Sequence, residues 1–234
     1  LSLRRQRQMC IRDSYVGGLA GSINNSVKNC FAQGVNVTAS AGSAGGFAGT
    51  FGSSASYDKI SIKGTVNVTG TSCIGGYVGT SRINLSNLNA NVTGTVKSTG
   101  GYVGGIVGSI DSSRTISNCN ATMNVTESGS SSYVGGIVGY SPNATISQCS
   151  YNGTITVTGS SNVGGITSGY AETISNCTTS GTIKASGNVR NIGGIIGYLS
   201  GSQITNCNSS MNIISSDYGQ YIGCLLYTSD NADE

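Results

Sequence analysis

One pattern of apolar, small and polar positions repeats along most of the chain. A glycine pair preceded by an apolar or small residue recurs about every 29 residues, which is a period typical of solenoids. The pairs begin at Gly17, Gly45, Gly75, Gly104, Gly135, Gly164 and Gly193, and the start of an eighth at Gly223 is interrupted by Cys224. The sequence therefore predicts seven similar coils in tandem.

Two further blocks follow each glycine block. The first reads TISNC at 115–119 and TISQC at 145–149. The second alternates in period two, so that Cys149, Tyr151 and Ile155 share one parity and the polar residues between them share the other. Such alternation predicts a strand with one buried face. Ile116 and Cys119 differ in parity, so a corner or bulge is expected between them if both point inward.

These blocks predict three short strands per coil, joined by Gly, Ser and Asn turns. A single coil cannot bury its own apolar side, whereas stacked coils form a continuous core. The predicted fold class is all-β, a parallel β-helix or β-solenoid of about seven coils of about 29 residues, since a propeller blade needs about 40–50. The handedness of parallel crossovers favours a right-handed solenoid.

The two ends do not share this period. Residues 4–14 read RRQRQMCIRDS, and residues 224–234 read CLLYTSDNADE. A DNA sequence that encodes the first segment also encodes, on its opposite strand, a peptide nearly identical to the second segment. That DNA resembles a transposon-based sequencing adapter. We therefore expect 1–14 and 224–234 to be adapter-derived and not native, and 15–223 to be the solenoid.

Composition narrows the chemistry. The net charge is +3 and the basic residues are scattered, which argues against nucleic acid as a partner. No apolar run reaches the roughly 18 residues of a membrane helix. The chain has no histidine and no CxxC pair, so we expect no metal site and no Ser–His or Cys–His nucleophile within it.

Acidic residues do not form pairs in the repeat. They fall in different columns, which indicates solvated surface acids rather than the paired carboxylates of a glycosidase. These residues are Asp58, Asp111, Glu127, Glu172 and Asp217. We accordingly expect no catalytic residue and no cofactor, and hence a chain that is not itself an enzyme.

Five cysteines recur at one repeat position, with Ile60 and Ala90 expected in their place in the second and third coils. The cysteines are Cys30, Cys119, Cys149, Cys177 and Cys207. Neighbouring side chains in a column lie about 4.8 Å apart, whereas disulfide Cβ atoms lie about 3.8 Å apart. A structural ladder of buried free thiols is therefore favoured over a disulfide staple or a metal stack.

Tyrosines precede the glycine pair in four places, at Tyr15, Tyr102, Tyr133 and Tyr221, and other residues interrupt this column. Two interpretations stay open. The column could stack a ligand such as a sugar ring, or its rings could pack at an edge with their hydroxyls in water.

The repeat resembles the GLUG repeat of bacterial surface and secreted proteins, because its motif VGGIVG is followed by TISNC and then by a G-T-I-x-V segment. The resemblance covers almost all of 15–223 and implies an extracellular or cell-surface setting. Such repeats occur in adhesins and in immunoglobulin A-cleaving peptidases, outside the catalytic domain. It implies a non-catalytic structural or adhesive segment, with a host-surface protein or glycan as partner. The alternative is the stalk or substrate-presenting region of a secreted peptidase or polysaccharide-degrading enzyme.

Because the coils at both ends lack a polar cap, we also expect end-to-end self-association.

Overall fold

A computed structural model describes residues 15–129, 132–159, 161–216 and 221–223. Both predicted tails and Asp217 lie outside these residues. None of the described residues is helical, and the strands pair in parallel from one coil to the next. The chain folds as a β-solenoid of about 7 turns, which confirms the predicted fold class. In the part of the chain that is described, no helix could cross a membrane.

Each coil has four faces rather than the three predicted, and we number the faces as sheets 1 to 4 and the coils by their glycine pairs. Sheet 1 holds the strands that end in the first glycine of each pair: Tyr15–Gly17, Ser43–Gly45, Cys73–Gly75, Gly101–Gly104, Ser132–Gly135, Ser161–Gly164, Asn191–Gly193 and Tyr221–Gly223. Sheet 2 holds the strands after the pair: Ala20–Ile23, Ala48–Phe51, Val78–Ser81, Val107–Ile110, Val138–Tyr140, Thr167–Gly169 and Ile196–Tyr198.

Sheet 3 holds the strands of the TISNC block. They are Ser26–Lys28, Ser56–Asp58, Leu85–Ser86, Thr115–Ser117, Thr145–Ser147, Thr173–Ser175 and Gln203–Thr205. Sheet 4 holds the alternating strands, which are split in the first four coils and continuous in the last three. They are Phe31–Gln33, Asn36–Thr38, Ser61–Lys63, Asn67–Gly70, Asn89–Ala90, Thr95–Ser98, Asn120–Ala121, Asn124–Glu127, Ser150–Thr158, Thr178–Ser186 and Asn208–Ser215.

The glycine block forms two strands because sheets 1 and 2 pack back to back, with the main chain of one sheet in contact with the main chain of the other. A Cβ on Gly139 of coil 5 would lie 2.5 Å from the Val103 nitrogen of coil 4. A Cβ on Gly135 would overlap the carbonyl oxygen of Val138 and lie 2.7 Å from that of Ile166. Real Cβ atoms do not approach so closely, so only glycine fits. The motif glycines are thus needed for space and not for a turn.

A left-handed residue forms the corner between sheets 3 and 4 in every coil. Asn118 has φ 51°, and it lies between the buried side chains of Ile116 and Cys119, as their opposite parity predicted. Equivalent residues in the other coils also have positive φ: Asn29, Lys59, Asn87, Gln148, Asn176 and Asn206. Five of these seven corners use asparagine, which tolerates this conformation better than other residues with a side chain.

The core follows the predicted alternation along sheet 4. Cys149, Tyr151, Ile155 and Val157 are buried, whereas Asn152 and its outward neighbours are exposed or half-buried. Valines and isoleucines of sheets 1 and 2 face this row. The residue after the glycine pair is buried at the turn between them in coils 2 to 7, as Ile106 is, whereas Leu19 of coil 1 is partly buried. The interior is therefore one continuous apolar column along the solenoid.

Candidate functional site

The cysteine column has the predicted members, but one of its substitutes was wrongly assigned. Strand pairing aligns Ala90 with Ala121, so the residue of coil 3 that occupies the position of Cys119 is Leu88. The segment 85–88 reads LSNL, the counterpart of ISNC at 116–119. The error arose because a cysteine was aligned with the nearest small residue instead of with the asparagine corner.

Each ladder thiol closes its own corner. Cys119, Cys149 and Cys177 donate from Sγ to the carbonyl oxygen two residues earlier, at 3.2–3.3 Å. The hydrogen bond bridges the left-handed residue, and it is the second one that this carbonyl oxygen accepts, since the Ser147 oxygen also accepts from the Asn118 N–H of the coil before. Cysteine thus serves here as a small apolar residue with one useful donor.

All six cysteines among the described residues are free thiols, but not all of the ladder is buried. Cys119, Cys149 and Cys177 are buried, whereas Cys30 and Cys207 are half-buried because they lie in the first and last coils. Hydrogen bonding to the neighbouring thiol and burial raise the pKa of Cys149 and of Cys177 to about 12. Cys149 and Cys177 are therefore protonated at neutral pH, whereas a hydrogen bond with Cys149 lowers the pKa of Cys119. Within the described residues no group of three or more acidic or cysteine side chains could hold a metal.

One of the acids predicted to be solvated is buried. Asp58, Asp111 and Glu172 are exposed, as expected, but Glu127 is fully buried. Its carboxylate accepts a hydrogen bond from the Gly129 N–H, as Ser98 does from Gly100 in the coil before. Glu127 therefore caps the turn that follows its strand, which compensates for part of its desolvation.

Strand register places the four predicted tyrosines in one column of sheet 1, but it brings only two of them together. Tyr102 pairs directly with Tyr133, with ring centroids 5.5 Å apart. Ser43 and Cys73 separate Tyr15 from this pair, while Asn162 and Asn191 separate Tyr221 from it. The predicted column is therefore interrupted, and Tyr15 and Tyr221 lie outside the cluster.

Three further tyrosines complete a continuous aromatic surface, which we name the tyrosine stripe. Tyr140 stacks on Tyr102 at 4.7 Å and 18°, and Tyr170 lies edge-on to Tyr133 and Tyr140 at 5.7 Å. Tyr198 extends the stripe at 5.9 Å from Tyr170. These distances and tilts are within the range that aromatic pairs prefer. The stripe spans coils 4 to 7.

The stripe exists because sheet 2 of each coil lies against sheet 1 of the coil before. The glycine contacts bring the two backbones together, so the side chains at their shared edge meet. Ser43 of coil 2 accordingly hydrogen-bonds Thr80 of coil 3 at 2.8 Å, at the positions equivalent to Tyr102 and Tyr140. The sequence signal for the missed tyrosines is a Gly-Tyr pair at the end of sheet 2: Gly139-Tyr140, Gly169-Tyr170 and Gly197-Tyr198.

The ring contacts also alter the acidity of the stripe. Desolvation, followed by the charge of a neighbouring Tyr140 phenolate, raises the pKa of Tyr102. A hydrogen bond with Tyr133 raises the pKa of Tyr170. Tyr102 and Tyr170 are therefore uncharged at neutral pH, and the stripe presents phenol hydroxyls and ring surfaces to solvent.

One coil of the chain matches a known family. The family model described as the GLUG motif matches residues 188–214, which is close to one full coil. Neither curated proteins nor solved structures give a significant match. The matched coil pairs in register with the coil before it, and that pairing continues through the stack. The motif match and the stacked fold together fit a GLUG-repeat region folded as a β-solenoid.

Proposed function

We propose that this chain is a non-catalytic repeat segment of a bacterial cell-surface or secreted protein, with a structural and adhesive role. The observation that carries the proposal is the tyrosine stripe on an otherwise regular solenoid. Tyr170 and Tyr198 are 37% and 40% exposed and belong to a cluster of five rings. Contiguous exposed aromatic surface of this kind commonly marks an interaction site.

The solenoid supports a structural role through its stacking. Coils 3 to 7 are held by parallel hydrogen bonds to one another on four faces, and one hydrophobic core runs through the stack. Stability then depends on neighbour contacts, so repeats can be added without a change of fold. A segment of this kind can hold a binding surface at a fixed distance from whatever anchors it.

The setting can be tested with antibodies raised against the purified chain. Intact cells that carry the gene are labelled before and after permeabilisation, and the culture medium is probed in parallel. Labelling of intact cells or of the medium is expected. Labelling only after permeabilisation would contradict the proposal. An antibody against a cytoplasmic protein of the same cells controls for lysis.

The adhesive role needs a separate measurement. Beads coated with the purified chain are expected to adhere to the surfaces that the source cells colonise. The matched control is beads coated with the variant Tyr133→Ala/Tyr170→Ala. Equal adhesion of both bead types would show that the stripe does not mediate adhesion. If neither bead type adheres, the adhesive role is refuted and only the structural role remains.

A further inference from the structure

The tyrosine stripe is an elongated surface parallel to the solenoid axis. Its five rings follow one another at 4.7–5.9 Å across coils 4 to 7. The rise per coil is about 4.8 Å, so a ligand bound to every ring must run along the axis for about 15–20 Å. This geometry fits a linear polymer better than a compact molecule.

The register columns that form the stripe contain no charged residue. In sheet 1 the column consists of Tyr15, Ser43, Cys73, Tyr102, Tyr133, Asn162, Asn191 and Tyr221. In sheet 2 the column includes Ser22, Thr50, Thr80, Ser109, Tyr140 and Tyr198. A polyanion or polycation would find no opposite charge along these columns, so the ligand should be neutral.

Polar groups continue the line of the rings on both sides. The Asn191 side-chain amide donates to the Asn162 carbonyl oxygen at 2.7 Å, next to Tyr133 in the same column. On the other side, the Ser43 and Thr80 hydroxyls share a hydrogen bond. Amides and hydroxyls beside aromatic rings can bind a ligand whose faces are apolar and whose edges carry hydroxyl groups.

Tyr170 holds its ring in the stripe despite a strained backbone. Its φ is 67°, and it is the one aromatic residue among the non-glycine residues with positive φ in the described chain. This conformation is unfavourable for a bulky side chain. Glycine, asparagine and serine occupy comparable turns in coils 7, 5 and 4, so the fold does not require a tyrosine here.

We propose that the tyrosine stripe binds a neutral polysaccharide chain lying along the solenoid axis. The faces of successive sugar rings present C–H groups that pack on the electron-rich faces of Tyr133, Tyr170 and Tyr198. Their hydroxyl groups hydrogen-bond the phenols and the Asn162–Asn191 amides. This inference names the ligand class of the proposed adhesive function and rests on it for its biological setting only.

Affinity gel electrophoresis of the purified chain tests the ligand class. Native gels contain xylan, mixed-linkage β-glucan or soluble starch as neutral probes, and polygalacturonate or polyproline as the alternatives. Retardation by at least one neutral glycan is expected, with little change when the salt concentration is raised. Retardation by polyproline alone would indicate that the stripe binds a proline-rich peptide. Salt-sensitive retardation by polygalacturonate alone would indicate that binding depends on charge. Either outcome overturns the proposal, as does the absence of retardation in every gel.

Variants locate the binding on the stripe. Tyr133→Ala and Tyr170→Ala should each weaken binding about ten-fold, because each removes one stacking ring, while Tyr170→Phe should retain most of it. Tyr15→Ala is the matched control, because Tyr15 is 41% exposed in the same column but outside the stripe. Circular dichroism confirms that each variant is folded. If Tyr15→Ala and the stripe variants bind equally well, whether all are weakened or all are unchanged, the binding site does not lie on the stripe. Glycan binding in vitro without surface labelling of cells would refute the setting and leave this proposal standing.

Discussion

At the residue scale, the left-handed corner explains why asparagine recurs before the ladder cysteine. Asn118 is exposed, so its preference for this position comes from backbone energy and not from side-chain packing. A residue with a Cβ costs about 1–2 kcal/mol in the left-handed region, asparagine costs less, and glycine costs almost nothing. The TISNC block is therefore a strand, a corner and an inward thiol, in that order.

Substitutions at Asn118 should follow backbone conformation. Asn118→Ala should lower the free energy of unfolding by about 1 kcal/mol, whereas Asn118→Gly should change it by less than about 0.5 kcal/mol. Urea denaturation followed by circular dichroism measures both. Asn152→Ala is the matched control, since Asn152 is an exposed strand residue without positive φ. Equal destabilisation by alanine and glycine at position 118 would show that the side chain itself matters.

Thiol reactivity should divide the ladder by burial. Cys149 and Cys177 are buried and their pKa is raised to about 12, so iodoacetamide at pH 8 should modify them slowly in the folded chain. Cys30 is half-buried in the first coil and should react much faster. Peptide mass spectrometry gives the rate at each site. In denaturant without reductant all 8 cysteines of the chain should react, and any missing pair would indicate a disulfide.

Buried phenols should limit stability at high pH. Burial raises the pKa of Tyr151, and likewise that of Tyr77, above the ordinary phenol value of about 10. In the unfolded chain these phenols ionise near that value, so their contribution is fully present below about pH 10 and falls as the pH rises further. Tyr151→Phe should cost about 1 kcal/mol at pH 8, because it removes a hydrogen bond to the Met123 carbonyl oxygen. It should also flatten the loss of stability between pH 10 and 12, and the double variant with Tyr77→Phe should flatten it further. Parallel alkaline curves for wild type and variants would refute this explanation.

At the element scale, the glycine block determines how two sheets approach each other. Gly135 and Gly139 face backbone atoms of the opposing sheet, with no room for a methyl group. The two sheets therefore pack through main chain, and the larger side chains beside the glycines are turned either into the core or out to the stripe. Loss of one glycine should force the strands apart along several coils.

Gly135→Ala tests this contact. The new Cβ would overlap the Val138 carbonyl oxygen, so we expect a loss of about 3 kcal/mol or more in the free energy of unfolding. Gly100→Ala is the control, because its Cβ would meet only the Thr71 carbonyl oxygen at the ordinary distance of 3.5 Å. Urea denaturation of both variants gives the comparison. Similar costs for the two would mean that conformational entropy, and not close approach, explains the glycines.

Repeat spacing and alternation were sufficient to predict the all-β stacked fold, the inward face of sheet 4 and the corner after Ile116. They could not predict that the glycine block is two strands, because the space between backbones is a property of the assembled coils. The stripe was half predicted for the same reason. Tyr102 and Tyr133 share a sequence position, whereas Tyr140 and Tyr198 come from another sheet that only three-dimensional packing brings alongside.

At the scale of the whole molecule, the stack is not uniform. Sheet 3 is interrupted between coils 2 and 3, where no backbone pairing links Ser56–Asp58 to Leu85–Ser86 among the described strands. The Tyr57 hydroxyl bridges the gap, since it accepts from the Ser86 N–H at 2.6 Å and donates to the Ser86 carbonyl oxygen. A tyrosine side chain thus replaces part of the ladder, and coils 3 to 7 form the more regular section that carries the stripe.

The outer coils leave apolar side chains uncovered that are buried everywhere else. Ile222 is 50% exposed, whereas Ile192, its register partner one coil earlier, is 2% exposed. Ile213 is likewise half-buried, although its partner Ile183 is fully buried. In the part of the chain that is described, Tyr221–Gly223 is the last strand of sheet 1, and an open parallel edge pairs readily with another strand.

Association of this chain end to end should therefore depend on the terminal coils. Sedimentation velocity over a hundred-fold range of concentration should show a monomer that converts to larger species as the concentration rises. Ile222→Lys should shift this equilibrium toward the monomer, because a buried lysine opposes stacking at that edge. Thr156→Lys, on the lateral face of sheet 4 beside Lys184, should leave it unchanged. A single monomeric species at every concentration would refute the prediction, and equal effects of the two lysines would point to general repulsion between charged chains.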